Sequence, residues 1–162
     1  MNRIKTALIS VFDKTGVIDL AKFLDENNIE IISTGGTKKM LEDNGINVIS
    51  VSDITNQKEV MDGRVKTLHP KIFGGILADR TNENHLDDLL DMGGKTLDLI
   101  VVNLYPFKSE AINKELSLEK AIEYIDIGGP SMLRAAAKNH QNIIPLCDPS
   151  QYSNFMKSYN LN

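Results

Sequence analysis

Gly63-Arg64-Val65-Lys66-Thr67-Leu68-His69-Pro70 sets two cations, a hydroxyl and an imidazole side by side, opened by glycine and closed by proline. Pro70 biases His69 toward an extended backbone. If the whole segment is extended, Arg64 and Lys66 face one way and Val65 and Thr67 the other. Such a pair can clamp an anion, and it is also what an ordinary solvated basic loop looks like. A second stretch, Ser33-Thr34-Gly35-Gly36-Thr37, has what an anion site needs. Its glycines let backbone N–H groups approach closely, its threonines add hydroxyls, and a following helix offers its positive end. It lacks the spacing of a P-loop and of a dinucleotide fingerprint. A Gly-Gly after a strand is equally the mark of a plain tight turn, and Gly128-Gly129-Pro130 has the same two readings.

These stretches need a scaffold that brings them together. Thr6 to Val11 is a short apolar run that fits a buried strand. Asp13-Lys14-Thr15-Gly16 turns into a helix with Val17, Leu20, Ala21 and Leu24 on one face and Thr15 as its expected cap. Ile29 to Ser33 repeats the strand, Thr34 to Thr37 the loop, and Lys38 to Asn44 the helix; Asn47 to Val51 opens a third strand. From Ser52 to Asp79 the periodicity loosens. Thr81 to Met92 reads as a surface helix on Leu86, Leu89 and Leu90, and Leu97 to Leu104 as the most apolar strand. Ser117 opens a helix with Leu118, Ala121, Ile122 and Ile125 on one face. Pro130 suits the first position of the next, whose packing face is Leu133, Ala136 and Ala137. Ile143 to Cys147 is a last strand. This alternation predicts an α/β fold: a doubly wound parallel sheet with helices on both faces, one domain over residues 1–162.

In such a sheet, ligands bind where loops leave the carboxyl ends of the strands. The loops then gather Ser10, Asp13 and Lys14; Thr34, Gly35, Gly36 and Thr37; Asn103 and Tyr105; and Asp126, Gly128 and Gly129. Arg64 and Lys66 join them if the irregular region folds over this edge. Tyr105 has a phenol for a developing oxyanion, or is an ordinary interfacial tyrosine held by Pro106. Asp126, before a helix start, reads as a capping carboxylate, and Lys138 as a favourable charge at a helix end. His85 and His140 have no second ligand at metal spacing, and His69 stays unassigned.

Composition narrows the classes. The 162 residues suit one core, and 22 acidic against 18 basic residues argue against a nucleic-acid surface. The single cysteine, Cys147, rules out an internal disulfide, fits a reducing compartment, and is expected in the core. No apolar run approaches bilayer length, so a cytoplasmic protein without membrane contact is expected.

Read in order, Ser10 to Gly16, Ser33 to Thr37, Gly63 to Pro70, Asn103 to Phe107, Ile125 to Gly129 and Leu133 to Asn139 resemble the IMP cyclohydrolase domain of the bifunctional purine biosynthesis protein, the AICAR transformylase/IMP cyclohydrolase. The resemblance implies a methylglyoxal-synthase-like fold. It implies a small-molecule purine ribonucleotide as partner, with 5-formamidoimidazole-4-carboxamide ribonucleotide closed to IMP with loss of water, and no metal or redox cofactor. Ligand contacts then fall on Ser10, Phe12, Asp13, Lys14, Thr34, Gly35, Gly36, Thr37, Arg64, Val65, Thr67, Val102, Asn103, Ile127 and Gly128. The reacting centre falls on Lys138, Lys66, Tyr105 and Asp126. Lys138 lies eight residues past Pro130, roughly 12 Å along a helix axis, so its share with Lys66 in catalysis is open. Phe12 stands where the family often has serine. The family has a second, transformylase domain and is dimeric; a homodimer is expected of the full-length protein, and this chain is expected to lack the transformylase. Two rivals share the fold: a lyase that eliminates phosphate from a triose phosphate, and a module that only binds effectors.

Overall fold

A computed structural model describes residues 4–160; residues 1–3 and 161–162 of the expected domain lie outside them. Five parallel strands form one sheet: β1 (Thr6–Ile9), β2 (Glu30–Ser33), β3 (Ile49–Ser50), β4 (Leu99–Val101) and β5 (Ile144–Leu146). Their order is β3-β2-β1-β4-β5. The chain winds outward from β1 to β3, returns to β4, and winds outward again, so the switch point lies between β1 and β4. The doubly wound expectation holds.

Eight helices connect the strands among the described residues: α1 (Val17–Glu26), α2 (Gly35–Asp43), α3 (Val51–Thr55), α4 (Pro70–Leu77), α5 (Glu83–Asp91), α6 (Leu118–Ile122), α7 (Gly128–Lys138) and α8 (Tyr152–Tyr159). Strand alternation divides the core in two. Ala7, Ile9, Ile31, Leu99 and Val101 face Val17, Leu20, Ala21 and Leu24 of α1 and Leu41 of α2. Leu8, Ile32, Ile100 and Val102 face Ile72 and Ile76 of α4 and Met132, Ala135 and Ala136 of α7. Helices therefore cover both faces, and every central-strand side chain is buried, which explains the near-continuous apolar runs. Among the described residues no helix is long and apolar enough to cross a membrane.

The structure corrects several expectations. The irregular region contains α3 and α4. Pro70 opens α4 rather than ending a loop, and His69, extended at φ −140°, caps it through Nδ1, which accepts from the Lys71 N–H at 3.2 Å. The α1 cap is Gly16 at φ 68°, not Thr15; a backbone in the left-handed region favours glycine there. Helix α7 begins at Gly128, so Pro130 sits inside its first turn, and Ala137 is exposed. Helix α6 ends at Ile122, short of Ile125, and Leu118, Ile122 and Ile125 are all exposed. Cys147 is exposed, because β5 ends at Leu146 and the backbone there turns to bond the Gln151 side chain.

Helix α8 had no counterpart in the sequence reading, and it supplies Tyr152. This ring is 3% exposed and packs against Gly16. Its hydroxyl is buried without a hydrogen-bond partner among the described residues, approaching the Asn103 amide without bonding geometry. Burial first, and the Asp13 carboxylate second, push the phenol up to about 12. An unsatisfied buried hydroxyl costs about 1–3 kcal/mol. Tyr152→Phe is therefore expected to raise the urea midpoint, by up to about 1 kcal/mol in stability; a lower midpoint would mean that the hydroxyl has a partner in solution.

Candidate active site

Five segments close a ring around the switch point. The β1 loop meets α2 through Thr37, whose hydroxyl accepts from the Val11 N–H at 3.3 Å and donates to the Val11 carbonyl at 3.1 Å. Lys14 ties the same corner, with Nζ donating to Thr37 Oγ1 at 2.8 Å and to the Val11 carbonyl. The β1 loop meets the end of β4 through Asn103. Its Oδ1 accepts from the Phe12 and Asp13 N–H groups at 2.6 and 2.9 Å, and its Nδ2 donates to the Asp13 carbonyl at 2.8 Å. The β4 loop meets α7 at Gly129, where a Cβ would lie 2.8 Å from Leu104 Cδ2 and 2.5 Å from Asp126 Oδ2. The 63–69 segment reaches both helices: Thr67 Oγ1 lies 3.1 Å from where a Gly128 Cβ would be, and Lys66 Nζ 3.3 Å from that of Gly35.

At the α2 corner the geometry suits an anion. Helix α2 begins at Gly35, and its cap residue Thr34 makes no side-chain bond to the helix N–H groups. The N–H groups of Gly35, Gly36 and Thr37 therefore point out of the first turn without an intrahelical acceptor, at the positive end of the helix dipole. Gly36 has open space where a side chain would stand. The Lys14 amine lies beside them, and its burial lowers the pKa below the ordinary lysine value of 10.5. Ser10, half-buried at the end of β1, is fixed by its N–H to the Val101 carbonyl at 2.9 Å.

Across the switch point the side chains differ in kind. Tyr105 is exposed, its ring edge-on to Phe12 at 5.0 Å and to Tyr124 at 6.4 Å. Phe12 thus replaces a hydroxyl with a wall for the tyrosine, and its N–H is already given to Asn103. Asp126 accepts from the Gly129 N–H through Oδ1 at 2.9 Å, which makes it the effective cap of α7; Oδ2 takes no bond among the described residues. Ile127 is exposed at the start of α7, whereas the Val102 side chain is buried in the core, leaving only its backbone to face a ligand.

Two candidates are placed otherwise than their spacing predicts. The Arg64/Lys66 clamp does not exist as a pair, because the segment is a turn: Arg64 is helical (φ −65°, ψ −26°) after a 3₁₀ turn at Met61–Gly63, and Val65 pairs back to Val60. Arg64 swings out to the Glu123 carboxylate, and Lys66 turns in to Glu59, with Nζ 3.5 Å from Oε2. Lys138 is the last residue of α7 and is exposed, ten residues beyond Gly128. That is roughly 15 Å along the axis. Helix α7 runs away from the ring, so one chain does not bring Lys138 to Asp126. Sequence reasoning passed over Glu59, Glu123 and Tyr124. Glu59 lies four residues before Gly63 in a stretch without periodicity, and only the fold sets it beside Thr34. Among the described residues no cluster of His, Cys, Asp and Glu has metal-site geometry.

A five-stranded parallel sheet with a glycine-opened helix start and a ring of loops at its switch point defines a doubly wound α/β class. The family model described as "MGS-like domain" matches residues 16–131, and the chain belongs to that family. It is 53% identical over 157 residues to the "Bifunctional purine biosynthesis protein PurH" of Ruminiclostridium cellulolyticum, covering 97% of this chain and 30% of that protein. To the protein of the same name from Bacillus subtilis (strain 168) it is 55% identical over 150 residues, covering 93% and 29%. Among solved structures, the "Crystal structure of ForH" superposes with a TM-score of 0.84 at 33% identity, covering 97% of this chain and 79% of that one. The chain thus spans about 30% of the length of these PurH relatives.

Proposed function

We propose that the domain is an IMP cyclohydrolase, closing 5-formamidoimidazole-4-carboxamide ribonucleotide to IMP with loss of water. The observation that carries this reading is the ring itself. An anion corner at α2 stands across the switch point from a tyrosine and a carboxylate, in a chain 53–55% identical to PurH proteins. In the proposed complex the 5′-phosphate sits on the Gly35, Gly36 and Thr37 N–H groups with Lys14 and Thr34. Ser10, Asp13 and Asn103 border the ribose, and Val65, Thr67, Val102, Ile127 and Gly128 border the base. Arg64 contacts the ligand only by leaving Glu123.

The carboxamide nitrogen attacks the formyl carbon of the same molecule, so the first task is to hold a near-attack conformer. Asp126, with Oδ2 open, takes one proton from that nitrogen. Tyr105 donates to the oxygen that was the formyl carbonyl. This oxygen takes its second proton from Asp126 and leaves as water, while the former formamide nitrogen returns its proton to Tyr105, and the ring is closed. Lys66 is the cation of the ring that can serve this departure. Lys138 belongs to the centre only if a second copy presents it, in line with the homodimer expected of the family. The chemistry is acid–base throughout and calls for no metal or redox cofactor. The reading includes a cytoplasmic enzyme whose cyclohydrolase domain spans residues 1–162.

A direct absorbance assay for IMP formation by this chain alone tests the proposal. Turnover of dihydroxyacetone phosphate to methylglyoxal, with none of the ribonucleotide, overturns it. So does IMP binding without cyclisation, which leaves an effector module. Thr37→Ala is expected to weaken IMP binding by about tenfold, because it removes the hydroxyl that Lys14 and Val11 share, with a smaller effect on turnover at saturation. Titration calorimetry and saturation kinetics separate the two effects, and a fall in turnover alone contradicts the assignment.

A further inference from the structure

Two groups at the anion corner, a hydroxyl and an amine, face one carboxylate. Thr34 Oγ1 donates to Glu59 Oε1 at 2.6 Å, and Lys66 Nζ stands 3.5 Å from Glu59 Oε2. Thr34 is the cap residue of α2, and the Lys66 amine lies beside Gly35, its first residue. Glu59 therefore sits at the mouth of the uncapped helix start. A local clip keeps it there: Val60 and Val65 pair, and Gly63 turns at φ 84°. A Cβ on Gly63 would lie 2.5 Å from Lys66 Cε and 3.4 Å from Glu59 Oε2, so the pair needs a glycine opposite it. A threonine hydroxyl has one hydrogen; given to Glu59, it cannot also be given to a phosphate.

We infer that Glu59 is an internal anion at the phosphate loop, which the phosphate of a ligand must displace. This rests on the reading of the α2 corner as a phosphate site. The exchange is open to solvent, since the side chains of Lys66 and Glu59 are 33% and 39% exposed, and an exposed pair is held only weakly. An incoming phosphomonoester brings two charges and several acceptor oxygens, enough to recover the Thr34 donor and to take the helix N–H groups with Lys14, so that Glu59 and the Lys66 amine part. A singly charged phosphodiester recovers less, and a nucleoside nothing. Displacing Glu59 therefore costs affinity for any ligand whose phosphate takes this corner, and nothing for a nucleoside. Its release also frees the Lys66 amine to move toward the reacting end.

The test is calorimetric binding of IMP, the 5′-methyl ester of IMP and inosine to the wild-type chain, Glu59→Gln and Glu59→Ala, with thermal unfolding to verify that each variant is folded. Both variants are expected to bind IMP about tenfold more tightly than wild type. The methyl ester is expected to gain by no more than IMP does, and inosine should be unaffected. Unchanged or weaker IMP binding in both variants overturns the inference, and wild-type binding then leaves the phosphate site standing. Absence of IMP binding in all three proteins removes the phosphate site and the inference together.

Discussion

Lys66→Ala is expected to lower turnover of the formamido ribonucleotide by about 10²–10³-fold, while IMP binding weakens by no more than about tenfold. Loss of a cation that meets charge developing on the departing oxygen falls on the transition state more than on the bound ground state. The resting position of the amine sharpens the test. In the free protein it lies beside Gly35 and Glu59, at the phosphate end of the ring, not beside Tyr105 and Asp126. Catalysis therefore requires the side chain to leave Glu59 and extend across the site. Saturation kinetics with calorimetry distinguish the two positions. If IMP binding falls as far as turnover does, Lys66 is a phosphate ligand that never makes the move.

The largest effect on stability is expected at the opposite edge of the sheet, from Asp98→Ala. Asp98 is buried just before β4. Its Oδ2 accepts from the Lys5 and Thr6 N–H groups at 2.6 and 2.9 Å, and its Oδ1 pairs with Arg80 Nη1 at 2.6 Å. Arg80 in turn donates to the Leu97 carbonyl at 2.8 Å. One carboxylate thus fixes the start of β1 to that of β4, the two central strands. Removing it leaves a largely buried guanidinium without its counter-charge and two backbone donors without an acceptor. The expected cost is about 3–5 kcal/mol, read as a lower urea midpoint. A loss below about 1 kcal/mol would show that water replaces the carboxylate at no great cost. Because the pair lies at the amino edge, away from the ring, IMP binding by the folded fraction should be unchanged.

Much of the fold was legible because strand and helix periods are properties of neighbouring residues. Ala7 to Ile9 and Leu99 to Val101 are apolar without interruption, as strands buried on both faces must be, and α1 carries its stripe at helical spacing. Helix α4 lies in the stretch where the periodicity loosens, because Gly74 and Gly75 interrupt its apolar face. Their role is close packing instead: a Cβ on Gly75 would lie 2.4 Å from the Lys95 carbonyl, a neighbour twenty residues away. The exposed stripe of α6 shows the converse, since a period tells that residues share a face and not whether anything covers it.

The same division runs through the site. The sequence alone determined which loops leave the carboxyl edge, that Thr34 to Thr37 open a helix, and that Lys14, Asn103 and Asp126 belong to those loops, because each follows directly on a strand or precedes a helix. Only the tertiary structure decided what each charged side chain faces. Arg64 and Lys66, two residues apart, part company toward Glu123 and Glu59, while Lys138, one short helix from Asp126, is carried to its far end. Local spacing fixes backbone direction over a turn or two, but an ion pair is settled by whichever opposite charge the fold brings within reach. For Lys66 that charge is Glu59, at the place where a phosphate is proposed to bind.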